Sequence, residues 1–352
     1  MNYKNLLPAV FVVVAMGSCN NTTGTEKKDS TAAIVRADTV KKIVPHISIL
    51  DNEGLNLIDS AAPIETIAEG FKWTEGPVYV SDSDYLIFSD VPANKVYKWK
   101  EGRGTSVFLE PSGYTGTAPK EKEPGSNGLV VDKNGKLVLC QQGNRQIGRM
   151  KSTLNDPKPQ FETIISSYKG KKFNSPNDLV FAANGNLYFT DPPYGLDHGL
   201  KDSTKEIPFQ GVYCIIPGGK ILLISDKISY PNGIALSPDN KILYISNSDN
   251  ENKEWIRFEL NGKGLPVKDS VFYKVSAEEG KIPGNPDGMK ADARGYIFAT
   301  GPGGVWIFNP TGKVIARIYT GQLTSNCYID QLHHMLYMTC DSLVMRVRLK
   351  PA

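Results

Sequence analysis

One short pattern recurs six times along the 352-residue chain and limits what it can fold into. Each copy opens on a polar residue, continues as an apolar strand, turns at Asp, Asn or Gly, and returns along a second apolar strand. The copies read EGPVYVSDSDYLIFSD, NGLVVDKNGKLVLC, NDLVFAANGNLYFTD, NGIALSPDNKILYIS, DGMKADARGYIFAT and NCYIDQLHHMLYMT. Repeats of about 40–50 residues with this strand content are typical of β-propeller blades.

The first residues of the copies, called lead residues below, are spaced as successive blades would be. Subtracting consecutive positions gives intervals of 52, 50, 55, 55 and 39 residues. Further strand-like runs, such as 95–99, 211–216 and 304–308, bring the copies to about four strands each. The sequence therefore predicts an all-β fold, a six-bladed β-propeller with four-stranded antiparallel blades, over residues 61–352. The lead residues are Glu75, Asn127, Asn177, Asn232, Asp287 and Asn326.

The overall charge and hydropathy exclude two large classes of protein. Lys and Arg total 40 against 37 Asp and Glu, a formal net charge of +3, which is too small for a nucleic-acid-binding surface. No run reaches the roughly 18–20 consecutive apolar residues that a membrane-spanning helix needs. We therefore expect neither a nucleic-acid partner nor an integral membrane domain.

The N-terminus has the features of an export signal. Residues 1–18 combine Lys4, an apolar run and the small residues Gly17 and Ser18, which is the pattern of a signal peptide. Cys19 follows directly, as in a bacterial lipobox, so it is the predicted lipidation site. An ordinary signal peptide with an incidental cysteine is the alternative.

The segment after Cys19 is polar, and residues 19–60 are predicted to be a flexible tether. The expected location is periplasmic or outer-membrane-tethered, as a lipoprotein of a bacterium. Membrane contact would come only through the N-terminal lipid. Because a propeller closes within one chain, we expect a monomer.

The six lead residues predict a cation site. Each stands before the first strand of its blade, and the first strands of a propeller line the central channel, so the lead residues should converge at one channel mouth. They supply two carboxylates and four amides without any Lys, Arg or His, and such oxygens are the ligands that hard cations prefer. Asn or Asp before Gly is also common turn chemistry, which is the competing interpretation.

The motifs around these residues resemble the senescence marker protein/gluconolactonase/luciferin-regenerating-enzyme family, in particular its bacterial gluconolactonase branch. The motifs are FKWTEGP, SPNDLVF, YFTDPPYG, PNGIALSPD and PDGMKAD. The resemblance implies one divalent cation, most often calcium, with magnesium, manganese or zinc as alternatives. The residues that match the family's metal ligands are Glu75, Asn177, Asn232 and Asp287.

The resemblance also implies a function, the hydrolysis of a sugar lactone to the aldonic acid. Asn127, Asn326 and Tyr194 are then the expected substrate contacts, and Asp287 is the expected catalytic base. In the family's phosphotriesterase relative, the aspartate that matches Asp287 is the nucleophile instead. One objection is physical, because a cation-bound carboxylate has a lowered pKa and is a weak base. The alternatives are an esterase or phosphotriesterase for another substrate class and a non-catalytic calcium- or sugar-binding propeller.

Overall fold

The computed structural model describes residues 43–120 and 122–351. Within this part of the chain there are 27 β-strands and four short 3-10 helices. The predicted signal peptide and Cys19 lie outside the described residues. The helices are Asn52–Asn56, Ser81–Ser83, Gly199–Lys201 and Glu279–Lys281.

Two strands precede the first blade, and the next three blades are antiparallel four-stranded meanders in chain order. A separate two-stranded hairpin, β11–β12, follows the second blade. The strands are β1 (His46–Ile49) and β2 (Glu65–Glu69); then β3 (Thr74–Val80), β4 (Tyr85–Asp90), β5 (Lys95–Lys100) and β6 (Gly104–Leu109) in blade 1; β7 (Ser126–Val131), β8 (Leu137–Gln141), β9 (Gln146–Met150) and β10 (Phe161–Ile165) in blade 2; β11 (Ser167–Tyr168) and β12 (Lys171–Lys172); and β13 (Leu179–Phe181), β14 (Leu187–Asp191), β15 (Gly211–Ile215) and β16 (Ile221–Ser225) in blade 3.

The last three blades complete the ring. Each inner strand (β3, β7, β13, β17, β21 and β25) contacts the inner strand of the next blade, and β25 contacts β3. The predicted six-bladed β-propeller is confirmed. The strands are β17 (Pro231–Leu236), β18 (Ile242–Ser248), β19 (Lys253–Leu260) and β20 (Pro266–Lys274) in blade 4; β21 (Met289–Ala291), β22 (Ile297–Gly301), β23 (Gly304–Phe308) and β24 (Val314–Tyr319) in blade 5; and β25 (Thr324–Asp330), β26 (Met335–Cys340) and β27 (Leu343–Arg348) in blade 6.

The ring is closed by a strand from the other end of the chain. Blade 6 has three strands of its own, and β2 pairs antiparallel with β27 as the fourth, with Thr66 opposite Met345. Closure therefore joins the beginning of the propeller to its end, and separating them would cost the whole β2–β27 ladder.

The prediction that residues 19–60 form a flexible tether is wrong for the part that the structure describes. β1 adds a fifth strand to blade 5 by pairing with β24, with His46 opposite Tyr319. Leu57 and Ile58 are fully buried, with 0% of each side chain exposed. The short apolar run ISIL (47–50) pairs with the open edge of a sheet, although the segment 19–60 is polar on average.

The core lies between the blades. Six hydrophobic clusters fill the structure, and each combines side chains from two neighbouring blades. The four cysteines after Cys19 are buried and free, namely Cys140, Cys214, Cys327 and Cys340. No helix among the described residues is long and apolar enough to cross a membrane.

We predict that residues 43–60 stabilise the propeller. A chain beginning at residue 61 should unfold at a lower temperature than one beginning at residue 43, because it loses β1 and the burial of Leu57 and Ile58. Burial of each such side chain contributes about 2 kcal/mol. Circular dichroism melting curves of both chains would measure the difference, and equal midpoints would show that this segment adds nothing.

Candidate active site

Six of the seven residues predicted to bind the cation or substrate line one cavity of about 390 Å³. It opens at the end of the channel where the inner strands begin. The structure thus brings together side chains separated by up to 212 residues of sequence (75 to 287). The six are Glu75, Asn127, Asn177, Tyr194, Asn232 and Asp287.

The seventh, Asn326, lies beside this cavity without lining it. Its Nδ2 donates a hydrogen bond to Glu75 Oε2 at 3.3 Å, and its Oδ1 lies 3.3 Å from the amine of Lys290. Asn326 therefore orients a predicted cation ligand, and the structure does not place it among the cavity-lining groups expected to touch substrate.

Irregular strand pairing turns the lead residues towards the channel. The register with the second strand shifts between Glu75 and Val78 in blade 1, and equivalent shifts occur at the lead residues of blades 2, 4 and 6. In blades 3 and 5 the inner strand begins only two residues after the lead residue. A β-bulge changes the direction in which the neighbouring side chains point. For this reason the residues at the start of these inner strands do not alternate regularly between the two faces of the sheet.

Glycines after the lead residues allow neighbouring blades to approach closely. A Cβ on Gly233 would lie 2.1 Å from the backbone oxygen of Asp287 in the next blade. Gly76 has a φ of +51°, and a Cβ there would lie 2.3 Å from the Asn127 oxygen. Gly76 and Gly233 therefore lie within inner strands where a Cβ would clash with the next blade, and not in the turns between strands.

Hydroxyl groups fix the backbone of three lead residues from the preceding blade. Ser89 Oγ donates to the Asn127 oxygen at 2.9 Å, and Thr190 Oγ1 donates to the Asn232 oxygen at 2.7 Å. Ser246 Oγ donates to the Asp287 oxygen at 2.5 Å. These three lead residues are thus held by the blade before them, so their positions depend on the neighbouring blades of the ring.

The two carboxylates of the site are buried and repel each other. Burial, and then the negative charge of Asp178, raise the pKa of Glu75 to about 8. Burial, followed by the charges of Glu75 and Asp178, raises the pKa of Asp287 well above its usual value. Both groups resist ionisation unless a positive charge is close by.

Several oxygens of the site have no hydrogen-bond donor within the described residues. Asp287 Oδ1 and Asn127 Oδ1 are buried and unpartnered. Asn232 directs its Nδ2 to Ser248 Oγ at 3.0 Å, so its Oδ1 is not needed for that contact. Since buried polar atoms are costly without a partner, these oxygens fit a hard cation.

Residues 43–120 and 122–351 contain no group of three or more His, Cys, Asp and Glu side chains placed to hold a metal ion. A cation in this cavity would therefore need amide oxygens beside the two carboxylates. That donor set suits calcium better than zinc, which prefers nitrogen and sulfur.

The cavity is also lined by residues that the repeat did not single out. Lys253 donates from Nζ to the oxygen of Gly284 at 2.9 Å, and burial lowers its pKa. Most of these residues lie on connections between strands, as Glu123 does in a charged run (KEKE) typical of an exposed loop. Ser248 is the last residue of β18 and Lys253 is the first residue of β19. No sequence signal distinguished them. They include Trp73, Glu123, Ser248, Asn250, Lys253 and Asn285.

Asp178 is a further buried carboxylate behind the site. It accepts a hydrogen bond from Leu179 N at 2.9 Å and lies 3.7 Å from the amine of Lys290. The sequence shows that Asp178 directly follows Asn177 in SPNDLVF. It did not predict that this carboxylate lies behind the lead residues and acts on their charges. Lys290 partly neutralises it.

Tyr194 forms part of the cavity wall, where the sequence placed it. Its ring stacks on that of Tyr230 with centroids 6.1 Å apart. Burial raises the pKa of its hydroxyl, so it stays protonated at neutral pH.

A larger cavity of about 610 Å³ lies at the outer edge of blade 6 and contains none of the predicted site residues. Three of its charged side chains are paired with one another, because Arg346 bonds Glu65 at 2.7 Å and also Glu101. We therefore assign the chemistry to the smaller cavity.

Comparison with known proteins identifies the family of this chain and several of its relatives. The profile described as SMP-30/Gluconolactonase/LRE-like region matches residues 73–342. A gluconolactonase from Zymomonas mobilis is 37% identical over 99% of this chain and 98% of its own length.

Two solved structures are also similar. A gluconolactonase from Xanthomonas campestris superposes with a TM-score of 0.73 at 28% identity, over 87% of this chain and 94% of that one. A calcium-binding protein, regucalcin, from Agrobacterium tumefaciens gives 0.62 at 17% identity, over 83% and 96%. The second likeness shows the fold alone.

We predict that Glu75→Gln stabilises the metal-free protein at high pH. Because the pKa of Glu75 is raised to about 8, its contribution to stability is full below about pH 4.5 and is lost as the pH rises through 8. Glutamine cannot ionise, so the variant should melt at least about 3 °C higher at pH 9 in chelator, with a smaller difference at pH 5.

The matched control is Glu69→Gln, an exposed glutamate on β2. It should leave the melting temperature unchanged at both pH values. A Glu75→Gln variant that melts lower than wild type at pH 9 would show that the carboxylate is not destabilising.

Proposed function

This chain belongs to the SMP-30/gluconolactonase/LRE-like family and is a lactone-hydrolysing enzyme, and we propose that it opens a sugar lactone to the aldonic acid with a divalent cation at the channel mouth. The observation that carries the proposal is the convergence of Glu75 and Asp287 with unpartnered amide and carboxylate oxygens in one cavity. Full-length similarity to a named gluconolactonase supports the substrate class.

The proposed cation ligands are Glu75, Asn177, Asn232 and Asp287. Their two carboxylates balance the charge of a divalent ion, and their four side chains leave some of calcium's usual six to eight positions open. Calcium is our first choice, with magnesium, manganese or zinc as substitutes. A bound cation would polarise the lactone carbonyl and stabilise the negative charge that develops on its oxygen.

The chain's own residues would orient the substrate. The unpartnered Oδ1 of Asn127 can accept a hydrogen bond from a sugar hydroxyl. The Tyr194 ring forms one wall, and the cavity volume of about 390 Å³ is within the range typical of small-molecule sites. A polar lining of this kind suits a polyhydroxylated lactone.

We predict that hydrolysis of D-glucono-1,5-lactone by the full chain depends on calcium and on Asp287. Chelator should reduce the enzyme-catalysed rate at least 100-fold, and calcium should restore it. Asp287→Asn should lose both activity and calcium affinity, because it removes one of two charges facing the ion. A pH-stat assay corrected for spontaneous hydrolysis and a calorimetric calcium titration would measure the two effects.

Glu69→Gln again serves as the control and should behave as wild type. Calcium binding without any acceleration of lactone opening would overturn the substrate class, and other lactones and phosphotriesters would then be assayed. Failure to bind any divalent ion would overturn the cation site. A calcium-binding chain without any esterase activity would instead be a binding propeller.

We further propose that the protein is exported and anchored through a lipid on Cys19, as a periplasmic or outer-membrane-tethered monomer. Cys19→Ala should abolish incorporation of a labelled fatty acid and move the protein from the membrane to the soluble fraction of bacterial cells. Labelling that persists in the variant would contradict lipidation at this residue. Size-exclusion chromatography with light scattering would test the monomer.

A further inference from the structure

We propose that Glu123 is the general base of the hydrolysis, accepting the proton of the attacking water, an inference that rests on the proposed lactonase function. Glu123 lies on the loop between β6 and β7 and lines the same cavity as Glu75, Asp287 and Tyr194. The repeat pattern gives it no role, since it lies four residues before the lead residue Asn127.

The loop that carries Glu123 is anchored at both ends. Asn94 Oδ1 accepts hydrogen bonds from the backbone of Gly113 at 2.8 Å, and Gly125 N donates to the Val91 oxygen at 2.9 Å. Ser126 N donates to Ser112 Oγ at 3.0 Å. The backbone two and three residues after Glu123 is therefore held in place, which favours a constant position for a proton-transfer group.

Of the carboxylates that line the cavity, Glu123 is the one least engaged in hydrogen bonds or proposed cation ligation. Among the described residues its carboxylate accepts no hydrogen bond and forms no salt bridge, whereas Glu75 Oε2 accepts from Gly76 N at 3.0 Å and from Asn326 at 3.3 Å. Asp287 is a proposed cation ligand, and ligation lowers the pKa of a carboxylate and weakens it as a base. Glu123 has no such hydrogen bonds among the described residues, and it is not a proposed cation ligand.

The burial of Glu123 favours a proton acceptor there. The other titratable groups that line its cavity are Glu75, Asp287, Tyr194 and Lys253, and Lys122 is next to it in sequence. Burial raises the pKa of Glu123 to about 7, and Lys122 opposes this only in part. A general base is most effective when its pKa is near the working pH.

The proposed step balances in atoms and charge. Water oxygen forms a bond to the lactone carbonyl carbon, the carbonyl π pair moves to the carbonyl oxygen, and one water proton passes to Glu123. The C=O bond then re-forms as the ring C–O bond breaks, and the protonated Glu123 returns its proton to the departing ring oxygen. The other water proton stays on the new carboxyl group, so lactone and water give the aldonic acid, which afterwards ionises in solution.

Chemical rescue would test this role. Glu123→Ala should lower kcat about 100- to 1,000-fold with little change in KM. Added formate should restore part of kcat by occupying the space and accepting the proton. Calcium affinity, measured by calorimetry, should stay within twofold of wild type, because Glu123 is not a ligand.

Glu123→Gln is the matched variant, since it fills the space without being a base. It should lose kcat equally and show no response to formate, and it decides the question if the alanine variant fails to fold. Glu69→Ala is the surface control and should keep full activity.

Three results would overturn the proposal: kcat within about twofold of wild type in both Glu123 variants, loss of kcat without formate rescue in a folded Glu123→Ala, or loss of calcium affinity together with kcat. An inactive wild-type chain would instead overturn the proposed function on which it rests.

Discussion

The close approach of the six inner strands around the channel is the constraint on which the rest of the structure depends. Hydroxyl groups from one blade hold the backbone of the next blade's lead residue, as Thr190 does for Asn232. Glycines such as Gly233 remove the Cβ that would keep the blades apart. With the backbones fixed in this way, the lead side chains have only the channel mouth to occupy.

This geometry concentrates negative charge where it is least stable. Glu75, Asp287 and Asp178 are buried near one another, and their mutual repulsion adds to the cost of desolvation. A fold selected for stability alone would place apolar or neutral groups there. The proposed cation would convert the repulsion into attraction and would link cation affinity to stability.

Ring closure connects stability to function. β2 completes blade 6 and β1 extends blade 5, so the segment before the first blade pairs with both of the last two blades. Ser325 Oγ in blade 6 donates to the Thr74 oxygen at 2.6 Å, next to Glu75. Loss of closure would therefore displace a proposed cation ligand as well as expose the core.

The sequence by itself determined the number of blades and the lead residues, because side chains repeat at a spacing that only a ring of similar units satisfies. It also located Tyr194, since the motif around it has a recognisable pattern. Only the tertiary structure decided that β1 and β2 belong to the propeller, and that Asn326 supports Glu75 instead of lining the cavity. It alone showed that Glu123 and Lys253 line the site, because Glu123 lies on a loop and Lys253 at the start of a third strand, both outside the repeated hairpin. The physical reason is that periodicity encodes local strand structure, whereas loop placement and edge pairing depend on which surfaces the closed ring leaves available.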